Sequence, residues 1–327
     1  MKKALVLGAS GFLGSHIVKA LVAKGYAVRV FVRASSNIKS IEHLDIEKRV
    51  GDPLDQHELE AAMEGCDTVF HSIVDARAWL RDPGPLYRVN IDGLVASMEA
   101  ALSASVEKFV FTSTYGIIGK NKSGLSTESD YFHWEHGEPP AYLTCRAEAE
   151  KRLMQYCKEK GLPAVAGNVG NTYGAEDIQP TPHGKLLYDV ARGLMPFYWE
   201  GGGPSIGIKD AAEGMVLIAE RGQIGERYIL GGEYLKFQEL FALAAKAAGR
   251  RPPRIKMSDG ALSVMGAISE FFTKPFGIEN KMNKASFDCS QKLPAVSNQK
   301  AIEELGWQPQ PIEKSIQEAV EWYRANF

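Results

Sequence analysis

A glycine-rich segment near the start of the chain restricts the possible folds more than any other stretch. Residues 4–7 are apolar, and Gly8-Ala9-Ser10-Gly11-Phe12-Leu13-Gly14 follows them directly, before an amphipathic run to Lys24. This pattern predicts a buried strand, a tight turn and a helix. Glycine at position 8 suits the turn, glycine at 11 lets a backbone approach a pyrophosphate, and glycine at 14 lets the helix pack against the strand. Because the first amides of a helix attract phosphate, we predict a dinucleotide site here rather than a purely structural loop.

The first half of the chain predicts an alternation of strands and helices. Further strands are expected at 27–32, just before Gly51, and at 68–72, 108–113 and 164–169. Helices are expected after Asp55, which would form a capping box with Glu58, and at 87–104 and 141–160. Such alternation is typical of a doubly wound parallel sheet, the Rossmann-type α/β fold.

Beyond Gly174 the pattern becomes more mixed. We predict a dinucleotide-binding domain over 1–173 and a smaller substrate-binding lobe over most of 174–327, with 206–230 returning to the main sheet. Asp210 is the expected N-cap of a helix in the returning part. The stretch 115–140 is long for a loop in a compact domain, which indicates a functional role. Later helices are expected at 237–248, 258–272, 298–305 and 311–326.

The composition excludes several classes of protein. A hydrophobic content of 45% and a charged content of 24% are ordinary for a globular protein. With a net charge of −2 and no basic run, nucleic acid is not an expected partner. No apolar window reaches the roughly 18–20 residues of a membrane span, and early glycines argue against a signal peptide. The four cysteines form no CxxC pair, which favours reduced thiols and a cytoplasmic location.

Two side chains on one predicted helix could perform acid/base chemistry. Tyr142 and Arg146 are four residues apart, so they share a helix face. A nearby positive charge favours the phenolate and lowers the pKa of the phenol, which suits a proton donor. Thr114 follows the fifth strand, at the carboxyl edge where such sheets bind ligands. An ordinary surface pair at Tyr142 and Arg146 is the alternative.

Several motifs together carry a resemblance to a known family. They are the glycine segment, Gly51-Asp52, Asn90-Ile91-Asp92-Gly93, Phe111-Thr112-Ser113-Thr114, and Tyr142 with a cation four residues on. Over nearly all of its length the chain resembles the extended short-chain dehydrogenase/reductases of the NAD-dependent epimerase/dehydratase superfamily, and most closely the dihydroflavonol-4-reductase-like branch. The segments 177–185 and 225–232 resemble the bacterial hopanoid-associated sugar epimerase group.

The resemblance implies a set of roles for individual residues. A hydroxyl, here Thr114 with Ser113 as the second choice, positions the substrate oxygen. Tyr142 exchanges a proton with that oxygen while nicotinamide C4 gives or takes hydride, and Arg146 occupies the place of the usual lysine. The residues expected to contact the cofactor are Gly8, Ser10, Gly11, Phe12, Leu13, Gly14, Arg33, Ser36, Asp52, Leu54, Ser72, Ile73, Asn90, Thr112, Tyr142, Arg146 and Val169.

The chain departs from the family pattern at four places around the expected site. These are Arg146, Asn168-Val169, Ile206-Gly207-Ile208-Lys209-Asp210 and Ser72-Ile73-Val74-Asp75. An arginine keeps the positive charge, but it does not give up a proton as a lysine can. The leading hypothesis is an oxidoreductase that acts on a ketone or secondary alcohol. The alternatives are a sugar-nucleotide epimerase, a hydroxysteroid- or sterol-type dehydrogenase, and a nucleotide-binding regulatory or scaffold protein without turnover.

The end of the second predicted strand bears on the choice of cofactor. NAD enzymes place an acid there, whereas this chain has Arg33 followed by Ser35 and Ser36. A cation with hydroxyl groups suits a 2′-phosphate, so NADP(H) is favoured and NAD(H) is the alternative. His133 and His136 match zinc-site spacings poorly, so no metal is expected. The resemblance also implies a possible homodimer through the helices at 87–104 and 141–160.

Overall fold

The computed structural model describes residues 2–135, 137–273, 286 and 291–327, so His136 and Cys289 lie outside the described residues. Its strands are β1 (Lys3–Leu7), β2 (Ala27–Val32), β3 (Glu47–Val50), β4 (Thr68–His71), β5 (Lys108–Thr114), β6 (Ala164–Val169), β7 (Asn171–Tyr173), β8 (Phe197–Trp199), β9 (Gly202–Gly207), β10 (Arg227–Leu230), β11 (Glu233–Lys236) and β12 (Ile255–Met257). Its helices are α1 (Phe12–Ala23), α2 (Gln56–Met63), α3 (Gly84–Tyr87), α4 (Gly93–Ser103), α5 (Ala141–Lys160), α6 (Pro182–Arg192), α7 (Ile208–Arg221), α8 (Phe237–Ala247), α9 (Asp259–Thr273), α10 (Gln299–Leu305) and α11 (Ile312–Asn326).

The largest sheet is parallel and has seven strands in the order β3-β2-β1-β4-β5-β6-β10. β1 lies near its centre, where Val6 is paired with Val30 of β2 and Phe70 of β4. The strand order reverses between β1 and β4, and this reversal places a ligand crevice at their carboxyl ends. The predicted Rossmann-type α/β fold is therefore confirmed.

Helices cover both faces of this sheet. On one face α1 and α7 bury side chains such as Ile17, Leu21 and Met215 against it. On the other face α2, α4 and α5 form a second core that includes Met98 and Leu153. α7 and β10, which come late in the chain, thus belong to the main sheet and its cover.

The remaining elements form a smaller lobe. β7, β9 and β11 make a three-stranded sheet, and β8 pairs with β12. α6, α8 and α11 pack together over an aromatic core that contains Trp199, Phe241 and Tyr323. Because β7 follows β6 after a single residue, this lobe stands directly beside the carboxyl edge of the main sheet.

Three local predictions were wrong in detail. The Asp55 side chain caps α2, but Glu58 accepts from the amide of Asp52 at 2.6 Å, so no capping box forms. α7 begins at Ile208 with Gly207 as its N-cap, which puts Asp210 inside the first turn. The long helix expected at 87–104 is interrupted by a π-helical turn over Arg88–Asp92.

Candidate active site

The turn after β1 has the geometry of a phosphate cradle. Gly8 has a φ of +82°, a backbone conformation that favours glycine. A Cβ on Gly14 would lie 2.2 Å from the carbonyl oxygen of Gly8. The close contact between α1 and the turn after β1 therefore requires glycine at position 14. Gly11 is the N-cap of α1, and no side chain caps that end of the helix. The first amides of α1 therefore face the crevice with the positive end of the helix dipole.

A cleft of about 630 Å³ runs from this turn along the edge of the sheet. Arg33 and Ser36 line it beyond the end of β2, and the amide of Arg33 donates to the hydroxyl of Ser36 at 3.1 Å. The predicted residues that line this cleft are Gly8, Ser10, Gly11, Arg33, Ser36, Ser72 and Ile73.

A second cavity, of about 270 Å³, adjoins the cleft at Gly11 and Ser72. The three residues expected to carry the chemistry, Thr114, Tyr142 and Arg146, all line it. The other predicted residues on its walls are Gly11, Phe12, Leu13, Gly14, Ser72, Thr112 and Val169. The structure thus brings the nucleotide-type turn and the tyrosine together at one edge of the sheet.

Arg146 is turned inward, with only 1% of its surface exposed. Its guanidinium donates to the carbonyl of Thr112 and, at 3.4 Å, to the side-chain oxygen of Asn90, and it lies 4.8 Å from the ring centre of Phe111. Within the described part of the chain it has no carboxylate partner. Burial lowers the pKa of Arg146, and the neighbouring Tyr142 opposes this shift. A buried cation without a carboxylate partner favours any anion that forms beside it.

The π-helical turn gives Asn90 a structural role. This fully buried side chain accepts from the amide of Asp75 at 3.1 Å and donates to the carbonyl of Asp75 at 3.0 Å. Asn90 therefore holds the loop after β4 against the sheet edge, and it reaches neither cavity. π-helical turns occur often at functional sites, because they re-aim side chains within a helix.

Behind Thr114 lies a buried polar network. Asn168 donates to the carbonyl of Thr114 at 3.2 Å and to Glu150 at 2.7 Å. Glu150 accepts from Arg227 at 2.9 Å, and Arg227 also donates to the carbonyl of Glu128 at 2.7 Å. This network connects α5, β6 and β10 to the loop after β5. The hydroxyl of Thr114 accepts from the amide of Gly116 at 3.2 Å, which favours one rotamer of this side chain.

Some predicted residues lie elsewhere, and sequence reasoning missed others. Asp52 and Leu54 line neither cavity, although Pro53 between them lines the cleft. A strap formed by residues 177–183 was not assigned a role, yet Gln179–Pro182 line the cleft and His183 lines the cavity. Thr181 before Pro182 is a helix-start signal that could have placed this strap at the site.

Within the ranges that the structure describes, no group of three potential ligands could hold a metal ion. The described helices include none long and apolar enough to span a bilayer.

Comparison with known proteins identifies the family. Residues 4–231 match the NAD dependent epimerase/dehydratase family. The chain belongs to this family. The epimerase/dehydratase chain is similar to a putative dihydroflavonol 4-reductase of Synechocystis sp., with 29% identity over 98% of this chain and 94% of the relative. It is also similar to sterol demethylase protein B of Methylococcus capsulatus, with 26% identity over 98% of both chains.

A solved structure agrees with this assignment. A nucleoside-diphosphate-sugar epimerase from Pseudomonas aeruginosa has a TM-score of 0.82 to this epimerase/dehydratase chain, at 25% identity, over 99% of this chain and 98% of that one. The family and the enzyme class predicted from the motifs, an NAD(P)-dependent oxidoreductase, are confirmed. The finer resemblance to the hopanoid-associated group is not.

One departure from the epimerase/dehydratase pattern has a packing explanation. Gly207 lies within residues 206–210, one of the four segments that depart from that pattern. A Cβ at this position would lie 2.4 Å from the hydroxyl of Ser315 in α11 and 2.6 Å from a carboxylate oxygen of Asp210. A side chain at position 207 would therefore displace the side chains of Ser315 and Asp210, which pack against the start of α7.

Proposed function

We propose that this protein is an NADP(H)-dependent oxidoreductase that transfers hydride between nicotinamide and a ketone or secondary alcohol. One observation carries the proposal. Thr114, Tyr142 and Arg146 line a single cavity, and this cavity adjoins the cleft beside the glycine turn. The nicotinamide end of a bound dinucleotide would therefore lie close to a hydroxyl, a phenol and a cation.

The residues of the cleft fit a dinucleotide phosphate. A side chain at Gly14 would collide with the backbone of Gly8, so glycine at this position keeps the first turn of α1 close to the end of β1, beside the cleft. Arg33 and Ser36 at the end of β2 supply a cation and a hydroxyl for a 2′-phosphate. When bound, the cofactor supplies or accepts the hydride at nicotinamide C4.

The side chains of the cavity would perform the proton chemistry. The hydroxyl of Thr114 and the phenol of Tyr142 hold the substrate oxygen, and Tyr142 donates its proton as that oxygen gains negative charge. The phenolate that remains is stabilised by the buried guanidinium of Arg146. Since an arginine does not release its proton, reprotonation of Tyr142 has to come from solvent rather than from residue 146.

NADPH oxidation tests this proposal. Purified protein is mixed with NADPH and dihydroquercetin, a dihydroflavonol, and absorbance at the reduced-nicotinamide band is followed. We expect Tyr142→Phe to lower kcat by about a hundredfold or more, because general acid catalysis contributes roughly that factor, while the Kd for NADPH changes less than about twofold. Tyr234→Phe, at an exposed tyrosine outside both cavities, is the matched control. Equal kcat values for wild type and Tyr142→Phe would refute the role of Tyr142.

The Pseudomonas structure favours a second candidate, a nucleoside-diphosphate-sugar epimerase. An epimerase returns the hydride to the same substrate, so it would interconvert UDP-glucose and UDP-galactose without net NADPH consumption. Product analysis after incubation with UDP-galactose separates the two candidates. Tight NADPH binding with neither activity would favour a nucleotide-binding protein without turnover.

A further inference from the structure

His183 lines the cavity that Thr114 and Tyr142 also line. It belongs to α6 of the smaller lobe, whereas Thr114 and Tyr142 reach the same cavity from the main sheet and α5. Its ring packs edge-on against Tyr173, with 6.5 Å between ring centres. The imidazole makes no hydrogen bond to any residue that the structure describes. A polar ring that faces a cavity without a protein partner is available to a ligand.

The backbone that carries His183 is held in one position. Thr181 is the N-cap of α6, and its hydroxyl accepts from the amide of Gly184 at 3.1 Å while it donates to Asp177 at 2.9 Å. The same carboxylate oxygen accepts from the hydroxyl of Tyr323 in α11 at 2.7 Å. Two helices of the smaller lobe therefore fix the turn, and a fixed side chain can select a ligand group by position.

The charge of the imidazole limits what it can bind. Burial lowers the pKa of His183 to about 4, so the ring is neutral at pH 7. The N-terminal end of α6 also disfavours a positive charge there. A neutral imidazole offers one donor and one acceptor, which suits a hydroxyl or carbonyl oxygen better than a phosphate.

We infer that His183 determines substrate specificity by hydrogen-bonding a second oxygen of the substrate, next to the oxygen held by Tyr142 and Thr114. The inference rests on the proposed function and deepens it. The substrate class that follows is a ketone with a neighbouring hydroxyl group, or the corresponding diol in the oxidative direction. A ketone without the second oxygen would leave the imidazole unpaired inside the cavity.

Matched pairs of ketones test this inference. One pair is dihydroquercetin and eriodictyol, which lacks the hydroxyl beside the ketone; the other is α-hydroxyacetophenone and acetophenone. We expect wild type to prefer the hydroxy ketone of a pair by about tenfold or more in kcat/KM, as for other sites that hydrogen-bond a substrate hydroxyl. His183→Leu should reduce this preference to within about twofold, mainly through a higher KM for the hydroxy ketone. His183→Asn, which keeps a donor and an acceptor, should retain a preference of at least about threefold.

Control variants distinguish a wrong inference from a misfolded variant. His57→Leu removes a histidine whose side chain is 94% exposed, and it should leave the preference unchanged. NADPH affinity, measured by fluorescence titration, should be the same in all variants, which shows that they fold. If His183→Leu does not fold, His183→Ala takes its place, and the same loss of preference is expected. Wild-type oxidation of NADPH without any preference, or a preference that survives in His183→Leu, would overturn the inference alone. The absence of NADPH oxidation with all four ketones would overturn the proposed function, and the inference with it.

Discussion

At residue 146, the groups in direct contact with the buried guanidinium are neutral: a backbone carbonyl, the amide oxygen of Asn90 and the ring of Phe111. Burying a charge without an ion-pair partner is costly, so the guanidinium contributes little to folding stability. Arg146 is therefore better explained by chemistry in the adjoining cavity than by a contribution to folding.

This leads to a prediction for Arg146→Met. We expect kcat for ketone reduction to fall by about a hundredfold or more, because the phenolate of Tyr142 loses its stabilising cation. The free energy of unfolding in urea should change by less than about 2 kcal/mol. Arg146→Lys restores the charge and should recover much of the activity. A Met variant that is as active as wild type would show that the cation has no part in turnover.

Arg33 permits a second residue-scale prediction. If Arg33 binds the 2′-phosphate, Arg33→Ala should raise the Kd for NADPH by about tenfold or more, since a charge-assisted hydrogen bond contributes roughly 1.5–3 kcal/mol. The Kd for NADH should change by less than about twofold. Both constants can be measured by titrating the nicotinamide fluorescence. Equal losses for the two cofactors would mean that Arg33 does not distinguish them.

At the scale of elements, the contact between β1 and α1 can be tested with a single methyl group. A Cβ at Gly14 would lie 2.2 Å from a backbone oxygen, so Gly14→Ala has to push the helix away from the strand. We expect a loss of about 2–4 kcal/mol in the free energy of unfolding and a higher Kd for NADPH. Gly124→Ala is the control, because nothing lies within 4 Å of a Cβ at that position. Similar unfolding curves for both variants would contradict the close packing.

Several elements could be predicted from the sequence because their signals are local. β2, α5 and β6 have the bounds expected from local patterns flanked by glycine or proline. The π-helical turn at Asn90 could not be predicted, since it depends on the bonds between Asn90 and a loop that is distant in sequence. The capping box with Glu58 was predicted wrongly for a similar reason, because the Glu58 carboxylate accepts a hydrogen bond from the amide of Asp52.

The same distinction applies to the candidate site. The glycine turn, Arg33 and Tyr142 could be placed near the cavities because each follows a strand or lies on a helix with a readable pattern. Thr114 was expected just after β5, but it is the last residue of that strand. His183 was missed, because its place in the cavity depends on how the smaller lobe packs beside the main sheet. The spacing of residues within 177–183 carries no information about that packing.

At the scale of the whole molecule, buried histidines make stability depend on pH. Burial lowers the pKa of His16 and of His183 to about 4 and that of His71 to about 3, whereas all three should titrate near 6.5 in the unfolded chain. The unfolded state then binds more protons below pH 6.5. The stabilisation is complete above that pH and decreases as the pH falls toward 4, by up to about 1.4 kcal/mol per pH unit for each histidine.

Urea unfolding at pH 7, 6 and 5 measures this dependence. We expect His16→Asn to lose about a third of the slope between pH 6.5 and 5, because one of the three buried histidines is gone. His57→Asn, at an exposed position, should leave the slope as in wild type. An unchanged slope in His16→Asn would show that His16 is protonated normally in the folded protein.

The bond between Asp177 and Tyr323 joins residues 146 positions apart in the chain. During synthesis on a ribosome, the glycine turn and the strands β1 to β6 emerge long before Tyr323 does. The nascent main sheet can therefore assemble while the strap beside its crevice still has no anchor. We expect a growing chain to gain its nucleotide-type turn early and the fixed position of His183 only when α11 has formed, so that this side of the cavity is the last part of the site to be completed.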